Sequence, residues 1–210
     1  MIKAFNFDNS YPLASNTYVL GKKGAGCIVF DLGSNSNDII DFVKKNFKEV
    51  HAIMLTHGHL DHIRGVNNFL KSFPKTPVYI HKDDYEMLVD DKFNKAIFNE
   101  DIPEIDYDPI LVEDNQIVDF GDFKIKVIHT PFHTKGSVCY LSIEDNAIFT
   151  GDTLFKQGIG RYDFSNSVPN MIQSSLIKLS KLNELLVCYP GHGLITSLKQ
   201  EMENNPYFRG

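Results

Sequence analysis

The residues best suited to chemistry are the histidines and the aspartate of one short segment, residues 57–62, which reads His-Gly-His-Leu-Asp-His. Three imidazoles and a carboxylate directly after the mostly apolar run 50–55 cannot all be buried as core polar groups. Imidazole nitrogen and carboxylate oxygen are the donors that Zn²⁺, Mn²⁺ and Fe²⁺ accept. The segment therefore predicts a metal site rather than a polar loop with incidental histidines.

Three later segments each add one donor of the same kind. His133, Asp152 and His192 lie in short polar stretches, and each stretch follows an apolar, strand-like run. Loops at the ends of separate strands can converge on one site. Each donor alone would be weak evidence, but the four segments together favour a single metal centre.

The motifs Thr-His-Gly-His-Leu-Asp-His, His-Thr-x-Gly-Ser, Thr-Gly-Asp-Thr-Leu-Phe and Pro-Gly-His-Gly resemble those of the metallo-β-lactamase-fold hydrolases. The chain is most similar to the glyoxalase-II-like (hydroxyacylglutathione hydrolase-like) branch, from about Asn16 to residues 205–209. The resemblance implies a first metal held by His57, His59 and His133. It implies a second metal held by Asp61, His62 and His192, with Asp152 bridging the two. Asp61 and Asp152 would thereby also serve catalysis.

The implied cofactors are two divalent ions, zinc first, with iron or manganese also compatible with mixed nitrogen and oxygen ligands. Water between two such ions has a pKa near neutrality, so hydroxide is available to attack an acyl carbonyl. A thiol leaving group with a pKa of about 8.5 departs as thiolate without a dedicated acid. We therefore expect a dinuclear metal-dependent hydrolase that cleaves small acyl thioesters.

Differences between this sequence and other branches of the same fold argue against several activities. Flavodiiron proteins of this fold have a glutamate at the position of His59, and typical antibiotic-hydrolysing members lack the bridging carboxylate of Asp152. RNA-processing members carry an additional RNA-binding arm, for which the sequence shows no basic insertion. These three differences argue against an O₂ or NO reductase, a β-lactamase and a nuclease.

The loop 158–164 is the candidate for substrate recognition, with Arg161 and Tyr162 as its substrate-binding residues. Enzymes acting on glutathione thioesters resemble Gly-Cys-Gly-Lys-Phe-Tyr here, whereas this chain has Asp163 in place of the last tyrosine. They also append a helical substrate-binding domain, and this chain ends at Gly210. The expected partner is a small molecule, with a glutathione-type thioester as one possibility. Arg161 could equally hold the loop by pairing with Asp163.

Two alternatives remain open. Iron-dependent persulfide dioxygenases resemble this fold, hold one iron and have a Gly-Cys-Gly-Arg-Thr-Asp-Phe loop, close to residues 158–164 here. Metal content and O₂ consumption separate that activity from hydrolysis. The other alternative is a metal-binding scaffold without activity, which stoichiometric metal without turnover would support.

The elements that must position these residues follow from the apolar pattern. Runs at 17–20, 26–32, 50–55 and 78–80 predict strands, and a helix with Ile39, Ile40 and Val43 on one face lies between the second and third. A second helix should carry Ile63 and Leu70 on one face. Residues 91–115 are the least regular stretch and are predicted to be a connector.

The second half repeats this arrangement. It has predicted strands at 116–120, 123–130, 137–143, 147–150 and 185–189, a helix capped by Ser167, and a last helix at 196–204. Two such halves predict an α/β fold, a four-layer αββα sandwich of the metallo-β-lactamase type. The length of 210 residues suits one domain spanning 1–210.

Composition excludes several partner classes. With 21 basic and 27 acidic residues the formal charge is −6, which disfavours nucleic acids and anionic membranes as partners. The longest apolar stretches fall well short of the ~20 residues that cross a bilayer. Cys27, Cys139 and Cys188 are odd in number and far apart, which is typical of reduced core thiols and predicts a cytoplasmic protein.

Overall fold

The computed structural model describes residues 1–7 and 13–209, which form two six-stranded mixed sheets with helices on their outer faces. The first sheet contains β1 (Ile2–Phe5), β2 (Thr17–Gly21), β3 (Gly26–Phe30), β4 (Glu49–Met54), β5 (Val78–His81) and β6 (Ile110–Val112). The second contains β7 (Ile117–Asp119), β8 (Lys124–His129), β9 (Val138–Ser142), β10 (Ala147–Gly151), β11 (Val187–Pro190) and β12 (Thr196–Ser197). The predicted α/β sandwich is confirmed. Residues 8–12 and 210 of the predicted single domain lie outside the described residues.

Seven α-helices occur in the described part of the chain. They are α1 (Asn37–Asn46), α2 (Leu60–Ile63), α3 (Val66–Ser72), α4 (Glu86–Val89), α5 (Lys92–Phe98), α6 (Ile172–Ser180) and α7 (Leu198–Asn204). The N-cap of α1 is Ser36, whose hydroxyl accepts a hydrogen bond from the Asp38 amide. Among residues 1–7 and 13–209, no helix combines the length and apolar character needed to cross a membrane.

Strand direction brings the ends of the site-bearing strands to the same region. β3, β4, β5 and β6 run parallel in the first sheet, with helices in the connections after β3, β4 and β5. In the second sheet β10 and β11 are parallel neighbours. Parallel neighbours end at the same edge of a sheet. The loops after β4, β10 and β11 can therefore meet at one end of the sandwich.

The core forms because successive side chains of each strand point to opposite faces. Leu20 and Phe30 point between the two sheets, whereas Val19 packs under the helices of the first sheet. The rings of Phe30 and Phe149 stack across the sheets with centroids 3.7 Å apart. Tyr140, fully buried between the sheets, donates its hydroxyl proton to the Leu55 carbonyl at 2.9 Å. The inter-sheet core thus fixes the ends of β4 and β9 relative to each other.

The predicted second helix is two helices. α2 ends at Ile63 and α3 begins at Val66, although the predicted apolar face is buried throughout. The Gly65 amide donates to the Leu32 carbonyl at 2.6 Å, and a Cβ on Gly65 would lie 2.1 Å from the Ser34 carbonyl oxygen. The helix is interrupted because the chain passes directly against the segment that leaves β3.

Two further predictions were wrong. Ser167 does not cap α6, which follows a 3₁₀ turn at Pro169–Met171; its hydroxyl donates instead to the His133 carbonyl at 2.7 Å. Residues 91–115 are more than a connector, since they contain α5 and the edge strand β6. Both differences bear on the site, because Ser167 steadies the backbone at His133 and α5 supplies a buried asparagine described below.

Candidate metal centre

The candidate ligands lie together where the two sheets meet. His57 and His59 occupy the loop after β4, and Asp61 and His62 lie in α2. The second sheet supplies the remaining three from the segments that follow its strands: His133 after β8, Asp152 after β10 and His192 after β11. His192 is half-buried, and the side chains of the other six are almost entirely buried.

Three ring nitrogens form the first cluster. His59 Nδ1 lies 3.0 Å from His57 Nε2 and 2.9 Å from His133 Nε2. The other nitrogen of His57 faces the Thr56 hydroxyl at 3.1 Å, and that of His133 faces the Arg161 carbonyl at 2.7 Å. The Arg161 carbonyl can only accept, so His133 carries its proton on Nδ1 and presents a lone pair from Nε2.

The protonated nitrogen of His57 can be assigned in the same way. The Thr56 hydroxyl donates to Asp31 at 2.8 Å, so it can only accept from His57 Nδ1. Nε2 of His57 then carries no proton and also presents a lone pair. Both lone pairs face His59 Nδ1, which can donate a proton to one of them at most, and the three nitrogens lie within 4.8 Å of one another. A cation among them would be bound by all three nitrogens. The first cluster therefore fits a metal ion.

A second cluster involves carboxylates. His192 Nε2 lies 3.1 Å from Asp61 Oδ2, and His62 Nε2 lies 3.3 Å from Asp152 Oδ1. His62 Nε2 and Asp152 Oδ1 are both buried without a hydrogen-bond partner. Buried polar atoms are nearly always paired, so this unpaired donor set also fits a metal ion.

Asp152 faces both clusters. Its Oδ2 lies 3.5 Å from His133 Nε2, whereas its Oδ1 faces His62 and lies 3.9 Å from His192 Nε2. A carboxylate with one oxygen toward each group of nitrogens has the arrangement of a bridging ligand. The backbone at Gly191 packs closely against this carboxylate, since a Cβ on Gly191 would lie 2.3 Å from Asp152 Oδ1.

The histidine pKa values differ between the two clusters. Burial lowers the pKa of His59 to about 3, and the neighbouring His133 adds to the effect, so this imidazole is neutral and able to donate a lone pair. Burial disfavours the charged form of His62 as well, but Asp31, Asp152 and Asp61 outweigh it and raise the pKa of His62. The second cluster thus has the excess of negative charge that a cation would neutralise.

Asp31 orients His62, and the sequence pattern did not indicate it. It lies just after β3 with a left-handed backbone (φ 54°) and accepts from the Thr56 amide and hydroxyl at 2.8 Å. Its Oδ2 also holds His62 Nδ1 at 2.9 Å. Outer partners of this kind fix the ring orientation of a metal-ligating histidine. A polar residue ending an apolar strand was the signal available.

Asp84 and Asn94 were also missed, and they fix the loop that carries His57 and His59. The buried Asp84 accepts from the Gly58 amide at 3.0 Å, the Gly136 amide at 2.7 Å and the Thr134 hydroxyl at 2.7 Å. It therefore joins this loop to the segment after His133. Asn94, from α5, accepts from the Leu60 amide at 2.7 Å and donates to the Gly58 carbonyl at 3.0 Å.

A cavity of about 290 Å³ opens above the candidate ligands. Its lining combines five of the ligands with apolar side chains and one arginine: Leu13, His59, Asp61, Ile97, Phe98, His133, Asp152, Phe155, Arg161, Phe164 and His192. Arg161 is hydrogen-bonded through two nitrogens to Asp163, at 2.9 and 3.0 Å. Tyr162 is 39% exposed and does not line this cavity.

Histidines outside the predicted ligand set have other contacts. His129 stacks on His81 with ring centroids 4.0 Å apart. Its Nε2 donates to the Lys135 carbonyl at 2.8 Å. This pair steadies the segment between β8 and β9 without touching the two clusters.

Comparison with known proteins gives one family. Residues 10–192 match the family described as the metallo-beta-lactamase superfamily. The chain is 31% identical to the probable metallo-hydrolase YqgX of Bacillus subtilis strain 168, over 95% of this chain and 94% of that protein. It is 31% identical to a hydroxyacylglutathione hydrolase of Francisella philomiragia, over 91% of this chain and 67% of that protein.

A solved structure agrees with the sequence matches. The crystal structure of BLEG-1, described as a B3 metallo-beta-lactamase, superposes with a TM-score of 0.91 at 31% identity, covering 100% of both chains. The family match spans most of this chain, and the αββα fold brings a His/Asp cluster together at the same end of both sheets. This chain belongs to the metallo-beta-lactamase superfamily.

Proposed function

We propose that this chain is a dinuclear metal-dependent hydrolase of small acyl thioesters, in the glyoxalase-II-like branch. The observation that carries the proposal is the placement of Asp152, with one oxygen toward each cluster of ligand atoms. Three histidines would hold the first ion: His57, His59 and His133. Asp61, His62 and His192 would hold the second, with Asp152 shared. Zinc is the proposed metal, and iron or manganese suit the same donors.

Two bound divalent ions would supply an activated water and polarise a carbonyl. The protein itself would orient the histidine ligands and balance the charge of the metal ions. Asp31, Thr56 and the Arg161 carbonyl hold the three outward-facing ring nitrogens, so that the inward lone pairs stay fixed. Asp61 and Asp152 contribute two negative charges against the four positive charges of two divalent ions. The site would therefore keep a positive charge, which suits an oxyanion.

The cavity lining favours a good leaving group. Among the described residues that line it, Arg161 is the one titratable side chain outside the ligand set, and guanidinium does not give up its proton. An amine leaving group needs a proton donor, whereas a thiol with a pKa of about 8.5 leaves as thiolate. This supports a thioester over an amide such as a β-lactam. The similarity to a hydroxyacylglutathione hydrolase supports the same choice.

Metal analysis and a substrate panel test the proposal. We expect close to two transition-metal ions per chain when the protein is prepared without chelator, and turnover of acyl thioesters. The panel should include phosphodiesters, a β-lactam and glutathione persulfide, with O₂ uptake followed in parallel. One iron per chain with rapid persulfide-dependent O₂ consumption and no thioester cleavage would establish the dioxygenase instead. Two ions without any turnover would establish a scaffold.

A further inference from the structure

We infer that the cavity above the candidate ligands binds a short apolar acyl chain, so that the preferred substrates are thioesters of roughly four- to six-carbon acids. The inference rests on the proposed thioester hydrolysis and names its substrate class. It concerns the walls of the cavity rather than the ligands themselves.

Aromatic and aliphatic side chains flank both clusters. The ring of Phe164 lies 5.2 Å from that of His59 and 5.7 Å from that of His133, between centroids. Phe98 approaches His59 at 6.4 Å, and Phe155 approaches His192 at 6.2 Å. Ile97, beside Phe98, and Leu13 also line the cavity. A group next to the scissile carbonyl therefore meets apolar surface on whichever side of the ligands it lies.

Apart from the metal centre, the walls of the cavity offer little positive charge to an anionic thiol. Arg161 is the one Lys or Arg among the described lining residues, and both hydrogen bonds to Asp163 compensate its charge. Its guanidinium also lies 4.3 Å from the centre of the Phe164 ring. Lys156 lines an adjoining depression, which shares Phe155 and His192 with the cavity, and is not among the residues that line the cavity itself. Glutathione carboxylates would thus find no uncompensated cation among the described residues of the cavity.

The size of the cavity sets the chain length. At about 30 Å³ for each water-sized group, 290 Å³ holds on the order of ten such groups. The two metal ions, the reacting carbonyl and the sulfur take part of that space. In the inferred binding mode the acyl chain lies against the apolar walls and the leaving thiol extends through the open mouth. Room for roughly four to six carbons follows.

A chain-length series tests the inference on the metal-loaded protein. Acetyl, butyryl, hexanoyl and octanoyl thioesters of one small neutral thiol, N-acetylcysteamine, are compared with lactoyl and butyryl thioesters of glutathione. Burying one methylene is worth up to about fourfold in kcat/KM. We expect kcat/KM for hexanoyl to exceed that for acetyl by about tenfold or more, with no gain from neutral thiol to glutathione.

Variants locate the effect in the cavity. Ile97→Ser should lower the hexanoyl-to-acetyl ratio of kcat/KM at least about threefold, because it places a hydroxyl on the apolar wall. Ile177→Ser is the matched control, since Ile177 is 51% exposed on α6 and lines none of this cavity. Asp163→Ala releases Arg161 and should raise the relative rate with glutathione thioesters.

A binding measurement separates this inference from the proposed function. Hexanoate should raise the melting temperature more than acetate at equal concentration, and Ile97→Ser should remove the difference. Equal rates for acetyl and hexanoyl thioesters with equal shifts would overturn the acyl-chain inference and leave thioester hydrolysis standing. A hexanoate shift in a two-metal protein that cleaves no thioester would overturn the proposed function instead.

Discussion

At the residue scale, the sequence predicted the candidate ligands that the structure brings together, but not the residues that hold them in place. The donors stand close in sequence or follow strands, so their types and positions indicate a metal site. Asp31 and Asp84 follow strands in the same way, yet a lone aspartate after a strand is common and points to nothing specific. Asn94 gave no signal, because its role depends on the unpredicted helix α5 passing over the loop after β4.

Asp152 is the first residue to test. Asp152→Ala removes the carboxylate that faces both clusters, so we expect fewer than two bound ions and kcat/KM lowered by about a hundredfold or more. Metal analysis and steady-state kinetics measure both effects. Asp163→Ala is the control, since its exposed carboxylate pairs with Arg161 and should change KM rather than metal content. Normal turnover with two ions in Asp152→Ala would contradict the bridging assignment.

Asp84 should act through position alone. Asp84→Asn replaces an oxygen acceptor with an amide donor opposite the Gly58 and Gly136 amides or the Thr134 hydroxyl. We expect the affinity for the first ion to fall about 10- to 100-fold, measured by competition with a chromophoric chelator. Asp83→Asn, at the adjacent and 45% exposed side chain, should leave the affinity unchanged. Equal behaviour of the two variants would show that Asp84 does not position the loop.

At the element scale, apolar periodicity predicted most strands, the apolar face of α1 and the presence of α6 and α7. It failed where close contacts decided the outcome. A helix pattern continues through Gly65, but the Gly65 amide donates to the Leu32 carbonyl beyond β3 instead of continuing the helical hydrogen bonds. The edge strand β6 escaped notice because only Val112 of its three residues is buried. Short elements with one buried side chain carry little periodic signal.

Gly191, which follows β11 and packs against Asp152, should tolerate no side chain. A methyl group in Gly191→Ala would meet Asp152 Oδ1 at 2.3 Å and His62 Cε1 at 2.6 Å, so one strand end must move. We expect loss of the second ion with the first retained, measured by metal titration. Gly158→Ala is the control, since a methyl group there would have no heavy atom of the described residues within 4 Å beyond its chain neighbours. Two tightly bound ions in Gly191→Ala would argue against this packing.

At the scale of the whole molecule, the ligands come from both sheets, so bound metal should tie the two halves together. A ligand present at 100 times its dissociation constant stabilises the folded state by about 2.7 kcal/mol. For a chain of this size that corresponds to a melting temperature about 5–10 °C higher per ion. Calorimetry before and after chelation, with zinc restored as a control, measures the shift. An unchanged melting temperature would contradict binding across the sheets.

The buried thiols give a second whole-molecule expectation. Burial raises the pKa of Cys139 from 9.0 to about 11 and that of Cys27 to about 12. Thiols that ionise more readily in the unfolded chain lower the stability as pH rises above about 9, by up to about 1.4 kcal/mol per pH unit each. Denaturant titrations from pH 8 to about 10.5 should show this loss, and Cys139→Ala should reduce its slope. A stability independent of pH in this range would contradict the burial of the thiols.

The separation of the ligands along the chain has a consequence for the order of events during synthesis. His59 and His133 are 74 positions apart, and Asp61 and His192 are 131 apart. A chain still emerging from the ribosome can offer an ion only residues 57–62, a local set that mixes ligands of both clusters. The correct sets exist once the second sheet has packed on the first. Metal should therefore enter last, through the mouth of the cavity, and free metal during refolding should delay rather than hasten recovery of the native form.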